Sequence, residues 1–210
     1  QEQSILAEDP PHPGNNLILT LDLEAQKKLE ELTKSMLVKI GKKRAAAIAM
    51  DPRDGSILAM LSLPAFNNNE FSGGISQQVY SEYANNPDHP LFNRSIGGTY
   101  PSGSVVKLVV AAAALEEKIV TPVTAFLSTG GLQIGDRMFR DWKLGGHGTT
   151  NVTRGIAWSV NTFFYYVGGG YKNFVGLGVD RIVKYMALFN LGKKTEIDLT
   201  GEATGFLPSK

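Results

Sequence analysis

The stretch Tyr100-Pro101-Ser102-Gly103-Ser104-Val105-Val106-Lys107 decides how this chain is read. Pro101 and Gly103 mark a turn, and behind Lys107 lies the apolar run Leu108 to Leu115. The pattern predicts a helix that opens at Ser104 and ends near Glu117. Ser104 then sits in the first turn, with Lys107 one turn on and on the same face. A serine hydroxyl is a weak nucleophile until a base takes its proton. Lysine can be that base only when neutral, which requires burial or a neighbouring cation to depress its pKa. A helix N-terminus adds free N–H groups and a positive dipole end, which favour an alkoxide and can form part of an oxyanion hole. A bare Ser-x-x-Lys is usually a capping serine beside a solvated lysine. The Pro/Gly approach and the very apolar helix behind it point instead to a serine at the mouth of a buried helix.

Upstream of this stretch, residues 1–16 carry Pro10, Pro11, Pro13 and Gly14 and read as an extended lead-in. Leu17–Leu21 reads as a short strand. Thr20 or Asp22 then caps a helix to about Ile40, with Leu29, Leu32, Met36 and Ile40 at helical spacing. Ala45–Met50 and Ser56–Ser62 flank a Pro/Asp/Gly turn and predict a hairpin. The segment from Pro64 to Gly98 is rich in Asn, Ser, Gly and Pro and reads as loop, with a short helix near Gln77–Tyr83. Downstream, 121–150 reads as irregular with two short strand-like pieces. One helical stretch is expected over Val152–Val167 and another over Val179–Phe189, stopped at Asn190-Leu191-Gly192. A hairpin plus helices gives an α+β domain.

Bulk properties narrow the classes. The 210 residues suffice for one sizeable core. The 21 basic and 20 acidic side chains leave a net charge of +1, which argues for no nucleic-acid partner. The chain has no Cys, so disulfides, thiol chemistry and thiolate metal sites are excluded. No apolar run is long enough to span a bilayer. Position 1 is Gln, so any membrane anchor or targeting segment is expected upstream of this chain.

A second candidate cluster is Trp158-Ser159-Val160-Asn161-Thr162-Phe163-Phe164-Tyr165. Ser159 and Asn161 are two residues apart, so they can enter one site from a turn but not from one helical face. The hydroxyl can relay a proton, and the amide can hold a substrate carbonyl or the lysine. Alone, a Ser-x-Asn is an ordinary cap. With Ser-x-x-Lys it forms two of the three motifs of penicillin-binding proteins and serine β-lactamases, the third being Lys-Thr-Gly. The aromatics Trp142, Phe163, Phe164 and Tyr165 are read as core rather than as a ligand platform.

On these motifs the chain resembles the transpeptidase domain of class B penicillin-binding proteins, most closely the elongation-specific, rod-shape branch. The ordered matches run along nearly the whole length. They include Leu19-Thr20-Leu21-Asp22 before a helix carrying Gln26, Met50–Met60 as the first hairpin, and Pro90-Leu91-Phe92-Asn93-Arg94 ahead of Ser104. Asp141-Trp142-Lys143 and Gly146-His147-Gly148 precede the Ser-x-Asn, and Ile197-Asp198-Leu199 with Gly205-Phe206-Leu207-Pro208 follow the last helix. The resemblance implies a penicillin-binding protein/serine β-lactamase-like fold, an antiparallel sheet with flanking helices, here C-terminally incomplete. It implies that 17–210 is the N-terminal portion of the transpeptidase domain and that 1–16 leads in from an upstream non-catalytic region. It also implies that Ser104 attacks the penultimate D-Ala carbonyl of a peptidoglycan stem peptide, that Lys107 accepts its proton, and that Ser159 passes a proton to the departing D-Ala. Asn161 would position substrate and lysine, and β-lactams would acylate Ser104. By the same resemblance the protein works on the periplasmic face of the cytoplasmic membrane, with a SEDS-type glycosyltransferase and an MreC-type scaffold as partners.

Three departures from the family pattern follow. Ser102 stands where a second Pro is usual, a turn detail. Some relatives hold zinc with two Asp, one His and one Cys; the matching positions here are Ser128, Asp141, His147 and Val160, two of which cannot ligate. No metal or other cofactor is therefore expected, and Asp141 and His147 are assigned a hydrogen-bonding role. Finally, no Lys-Thr-Gly follows Asn161: Ala203-Thr204-Gly205 lacks the lysine and Lys194-Thr195-Glu196 the glycine. The chain alone is therefore expected to be inactive or nearly so. A serine β-lactamase or penicillin-sensing receptor shares the motifs, and a non-catalytic scaffold domain is the reading from a different class. The Asn-rich segment 66–98 and the Asp141–Gly148 match favour the synthase over the first, and retention of both Ser104 and Lys107 favours it over the second.

Overall fold

The structure is a computed structural model that describes residues 14–209. Most of the expected lead-in, residues 1–13, lies outside the described residues. The chain divides into two compact units, Gln1–Ser95 and Ile96–Lys210.

In the first unit, Asp22 rather than Thr20 caps helix α1 (Leu23–Lys39), accepting the Ala25 N–H at 2.9 Å. Thr20 instead donates to Ile57 O at 2.7 Å. The strand expected at Leu17–Leu21 does not form. Asp22 N–H reaches Leu58 O, but this is no ladder, and Leu17 and Ile18 stay exposed. A short apolar run makes a strand only where a sheet edge accepts it. Strands β1 (Ala45–Met50) and β2 (Ile57–Leu63) pair antiparallel, from Ala45 opposite Leu63 to Met50 opposite Ile57. Helix α1 docks on β2 through Gln26, whose side-chain amide mimics a strand partner. It donates to Met60 O at 2.9 Å and accepts Met60 N–H at 2.8 Å. Helix α2 (Gln77–Ala84) matches the expected short helix and is capped by Ser76. The loop after it is gathered by buried Arg94, which donates to Asp88 O and His89 O. A single turn, α3 (Arg94–Gly97), spans the sequence boundary of the two units.

In the second unit the decisive stretch folds as a 3-10 turn, Gly103–Val106, running into α4 (Lys107–Glu116). Ser104 is therefore in the turn before the α-helix rather than in its first turn. A 3-10 turn has three residues per turn and eclipses positions i and i+3, so Ser104 and Lys107 still share a face. The segment 121–150 holds four short strands where two pieces were expected: β3 (Ala125–Ser128), β4 (Gly131–Ile134), β5 (Arg137–Arg140) and β6 (Gly148–Asn151). They form two antiparallel pairs, β3 with β6 and β4 with β5. Val152–Val167 is likewise two helices, not one: α5 (Val152–Ala157) and α6 (Asn161–Gly169). Helix α7 (Gly178–Leu188) ends at the expected stop. The core gathers Val109, Ala113 and Ala114 of α4, Phe163 and Val167 of α6, and Tyr185 of α7. Burying a large apolar side chain there contributes about 1.5–3 kcal/mol. Helices with antiparallel strand pairs make the α+β architecture expected from the sequence.

Candidate active site

The break between α5 and α6 creates the site. Helix α5 ends in a Schellman motif: Val160 N–H donates to Gly155 O at 2.9 Å and Ser159 N–H to Ile156 O at 3.1 Å. Ser159 holds the left-handed position of that motif, with φ 53°. Glycine is the usual occupant there, because a Cβ costs roughly 1–2 kcal/mol in that region. Val160 is then fully buried, and α6 starts at Asn161. Reversing the chain within three residues aims both Ser159 and Asn161 at Lys107.

Lys107 Nζ donates to Ser159 O at 2.8 Å, Ser159 Oγ at 2.9 Å and Asn161 Oδ1 at 2.6 Å. Ser159 Oγ donates to Ser104 Oγ at 2.7 Å. The four side chains picked out by the sequence are thus one connected cluster, in which Ser159 stands between Ser104 and Lys107. Ser104 is exposed, whereas Lys107 is half-buried on the core. Burial pushes the Lys107 ammonium below the ordinary lysine range, and the Asp141 charge pulls it part of the way back. The Phe164 ring, 5.5 Å from Nζ, walls the other side. Asn161 cannot swing freely, because its Nδ2 donates to Arg140 O at 3.2 Å.

Beneath this cluster lies Asp141, a residue the sequence reading gave only a hydrogen-bonding role. One carboxylate oxygen accepts Asn161 N–H at 2.6 Å. The other accepts Ser128 Oγ–H at 2.7 Å, Thr162 N–H at 3.3 Å and the Thr162 hydroxyl. Burial alone would raise this carboxyl; donation from Thr162, Ser128 and the two backbone N–H groups outweighs it and holds Asp141 below the usual carboxylate range. His147 fills its expected hydrogen-bonding role only through its backbone, whose N–H donates to Ser128 Oγ at 3.1 Å; its ring packs against Trp142 and Trp158, and its buried Nε2 has no hydrogen-bond partner among the described residues. Trp142 is a correction to the core reading: it is 65% exposed and donates its indole N–H to Trp158 O. Phe163 and Phe164 are buried as expected.

The zinc set of some relatives does not fit these residues. Ser128 Oγ is spent as a donor to Asp141, Val160 has no donor atom, and no group of three metal-ligating side chains exists among the described residues.

A family model for the penicillin binding protein transpeptidase domain matches residues 45–210. The chain belongs to that family. Among curated relatives of this penicillin-binding protein domain, peptidoglycan D,D-transpeptidase MrdA of Escherichia coli K12 is 39% identical over 207 residues, 98% of this chain and 31% of its own length. MrdA of Salmonella typhimurium LT2 is 42% identical over 208 residues, again 98% and 31%. The chain thus spans about a third of the length of these relatives. Among solved structures, the complex of penicillin-binding protein PBP2 and MreC from Helicobacter pylori superimposes with a TM-score of 0.78 at 34% identity, covering 90% of this chain and 33% of that one. A structure described as a peptidoglycan synthase complex that coordinates polymerization and crosslinking gives 0.82 at 31% identity, covering 97% and 36%.

Proposed function

We propose that this chain belongs to a peptidoglycan D,D-transpeptidase of the elongation-specific branch, working through an acyl-enzyme on Ser104. The observation that carries the reading is the unbroken chain Ser104 Oγ–Ser159 Oγ–Lys107 Nζ, with Asn161 fixing the lysine. With Lys107 neutral, its lone pair takes the Ser159 proton as Ser159 takes the proton of Ser104. Ser104 Oγ then bonds to the penultimate D-Ala carbonyl carbon of a stem peptide. The carbon–nitrogen bond to the terminal D-Ala breaks, and the proton returns from Lys107 through Ser159 to the departing amine. An amine of a neighbouring stem peptide attacks the ester, forms the 4→3 cross-link and releases Ser104. A β-lactam enters the same path and stays as an ester on Ser104. Burial that favours neutral lysine, and the place of Ser104 in the turn that opens α4, support these steps.

Residues 17–210 are taken as the N-terminal portion of the transpeptidase domain. Lys-Thr-Gly is absent from the 210 residues, and losing one oxyanion donor commonly costs a hundredfold or more in rate. The isolated 210-residue stretch is therefore held to be inactive or nearly so. One relative's complex with MreC, and another described as coordinating polymerization and crosslinking, support an MreC-type scaffold and a glycosyltransferase as partners; the SEDS type of the latter and the periplasmic face of the cytoplasmic membrane are proposed from the family resemblance. No helix among the described residues is long and apolar enough to cross a membrane. Incubating the native polypeptide that carries this sequence with a labelled penicillin should add one drug mass, located by peptide mapping at Ser104. An unchanged intact mass under saturating drug sinks the proposal.

A further inference from the structure

We propose that Asp141 is a positioning residue for acylation. Its carboxylate, clamped by Ser128 and Thr162, sets the Ser159-Val160-Asn161 turn and so the chain of hydroxyls and amine above it. The inference rests on the acyl-enzyme reading for its kinetic arm only.

A helix leaves its first backbone N–H groups without partners, and a serine, threonine, aspartate or asparagine just before it normally supplies an acceptor. Helix α6 has Val160 there, which offers none. The acceptor comes instead from twenty residues upstream, where Asp141 takes the N–H of Asn161 and of Thr162. A carboxylate at this end is also favoured by the helix dipole. The clamp is stiff because its parts are dry: Thr162 is 0% exposed, Ser128 2% and Asp141 9%. It is anchored on separate strands. Ser128 ends β3, and Asp141 follows β5 with its own N–H on Gly130 O at 2.9 Å. The loop closes over it at Gly146, where a Cβ would lie 2.3 Å from Ser128 O. Asn161 is therefore held by its backbone N–H from below while its side chain bridges Lys107 and Arg140 O. An asparagine at 141 keeps the shape but presents N–H groups to at least one of the donors, so the turn loses an anchor without a cavity forming.

The test uses the native polypeptide with a fluorescent penicillin, rates being scaled to the fraction that titrates. Asp141→Asn and Thr162→Val should lower the first-order acylation constant at least tenfold while the non-covalent dissociation constant of the drug stays within about twofold. Val167→Ala, a core change away from the clamp, serves as the control for general destabilisation and should leave the acylation constant near wild type. Hydrogen exchange gives a readout independent of activity: the amides of Asn161 and Thr162 should exchange at least tenfold faster in Asp141→Asn, with those of α4 unchanged. The proposal is overturned if Asp141→Asn acylates within twofold of wild type, if Val167→Ala falls equally, or if the α6 amides keep their protection. Equimolar zinc in the purified protein, with acylation lost on chelation, also overturns it, since a metal rather than the clamp would then set the turn. Failure of the wild type to label at Ser104 removes the acyl-enzyme reading instead, and the exchange experiment still decides the clamp.

Discussion

Lys107 is held by three acceptors in a pocket whose burial works against its charge. That conflict has a direction. On the proposed acyl-enzyme route acylation needs the neutral amine, so its rate should climb with pH through the lowered pKa of Lys107 and then level off. Asp141 pulls that pKa upward. Removing its charge should move the rising limb to lower pH, even as the plateau falls. Lys107→Met should lose about 10²–10⁴-fold of the acylation rate on the plateau, the usual contribution of a positioned base, and should lose the rising limb with it. Stopped-flow acylation between pH 5 and about pH 10 separates these outcomes, and an unmoved limb in Lys107→Met would remove lysine from the base role. The pair Ser104 and Lys107 was legible because its spacing, its turn and its apolar helix all lie in one short stretch. Their connection through Ser159 was not, because the two segments are 52 residues apart in sequence.

The element that matters most is the joint of α5 and α6. The apolar pattern of Val152–Val167 reads as one helix, since neither Gly nor Pro marks the break. The Schellman motif is nevertheless made there, with serine in the glycine position. A residue held in a disfavoured backbone region stores strain of a kind that clusters at functional sites. Ser159→Gly should relieve it, whereas Ser159→Ala removes the same hydroxyl and keeps the strain. The glycine variant should be more stable than the alanine variant by roughly 1 kcal/mol, and both should lose acylation. Thermal and denaturant melts of the two proteins decide this. Equal stabilities would mean that the left-handed turn carries no cost. Gly155 serves the same joint from inside, because a Cβ there would come within 3.0 Å of the Phe163 ring.

At the scale of the whole molecule, two units carry different shares. The first couples a hairpin to α1 through Gln26, and the second builds the core on which the candidate site rests. Phe163, 1% exposed, sits in that core two residues after Asn161. Phe163→Ala should cost about 3–5 kcal/mol and loosen α6 with it. Urea unfolding should show the loss as a lower midpoint, and a cost under about 1 kcal/mol would place the core elsewhere. The sequence by itself determined the α+β class, the hairpin and the helix stops, and it nominated the four candidate residues Ser104, Lys107, Ser159 and Asn161 that the fold brings together. Each of these is written in local terms, as a period, a turn residue or a short motif. The tertiary structure alone decided that Leu17–Leu21 is no strand, that Val152–Val167 is two helices, that Trp142 is exposed, and that Asp141 caps α6 from a distance. Those outcomes depend on which edge, cavity or unpaired N–H group a distant segment brings alongside, and backbone groups must find partners wherever the fold supplies them.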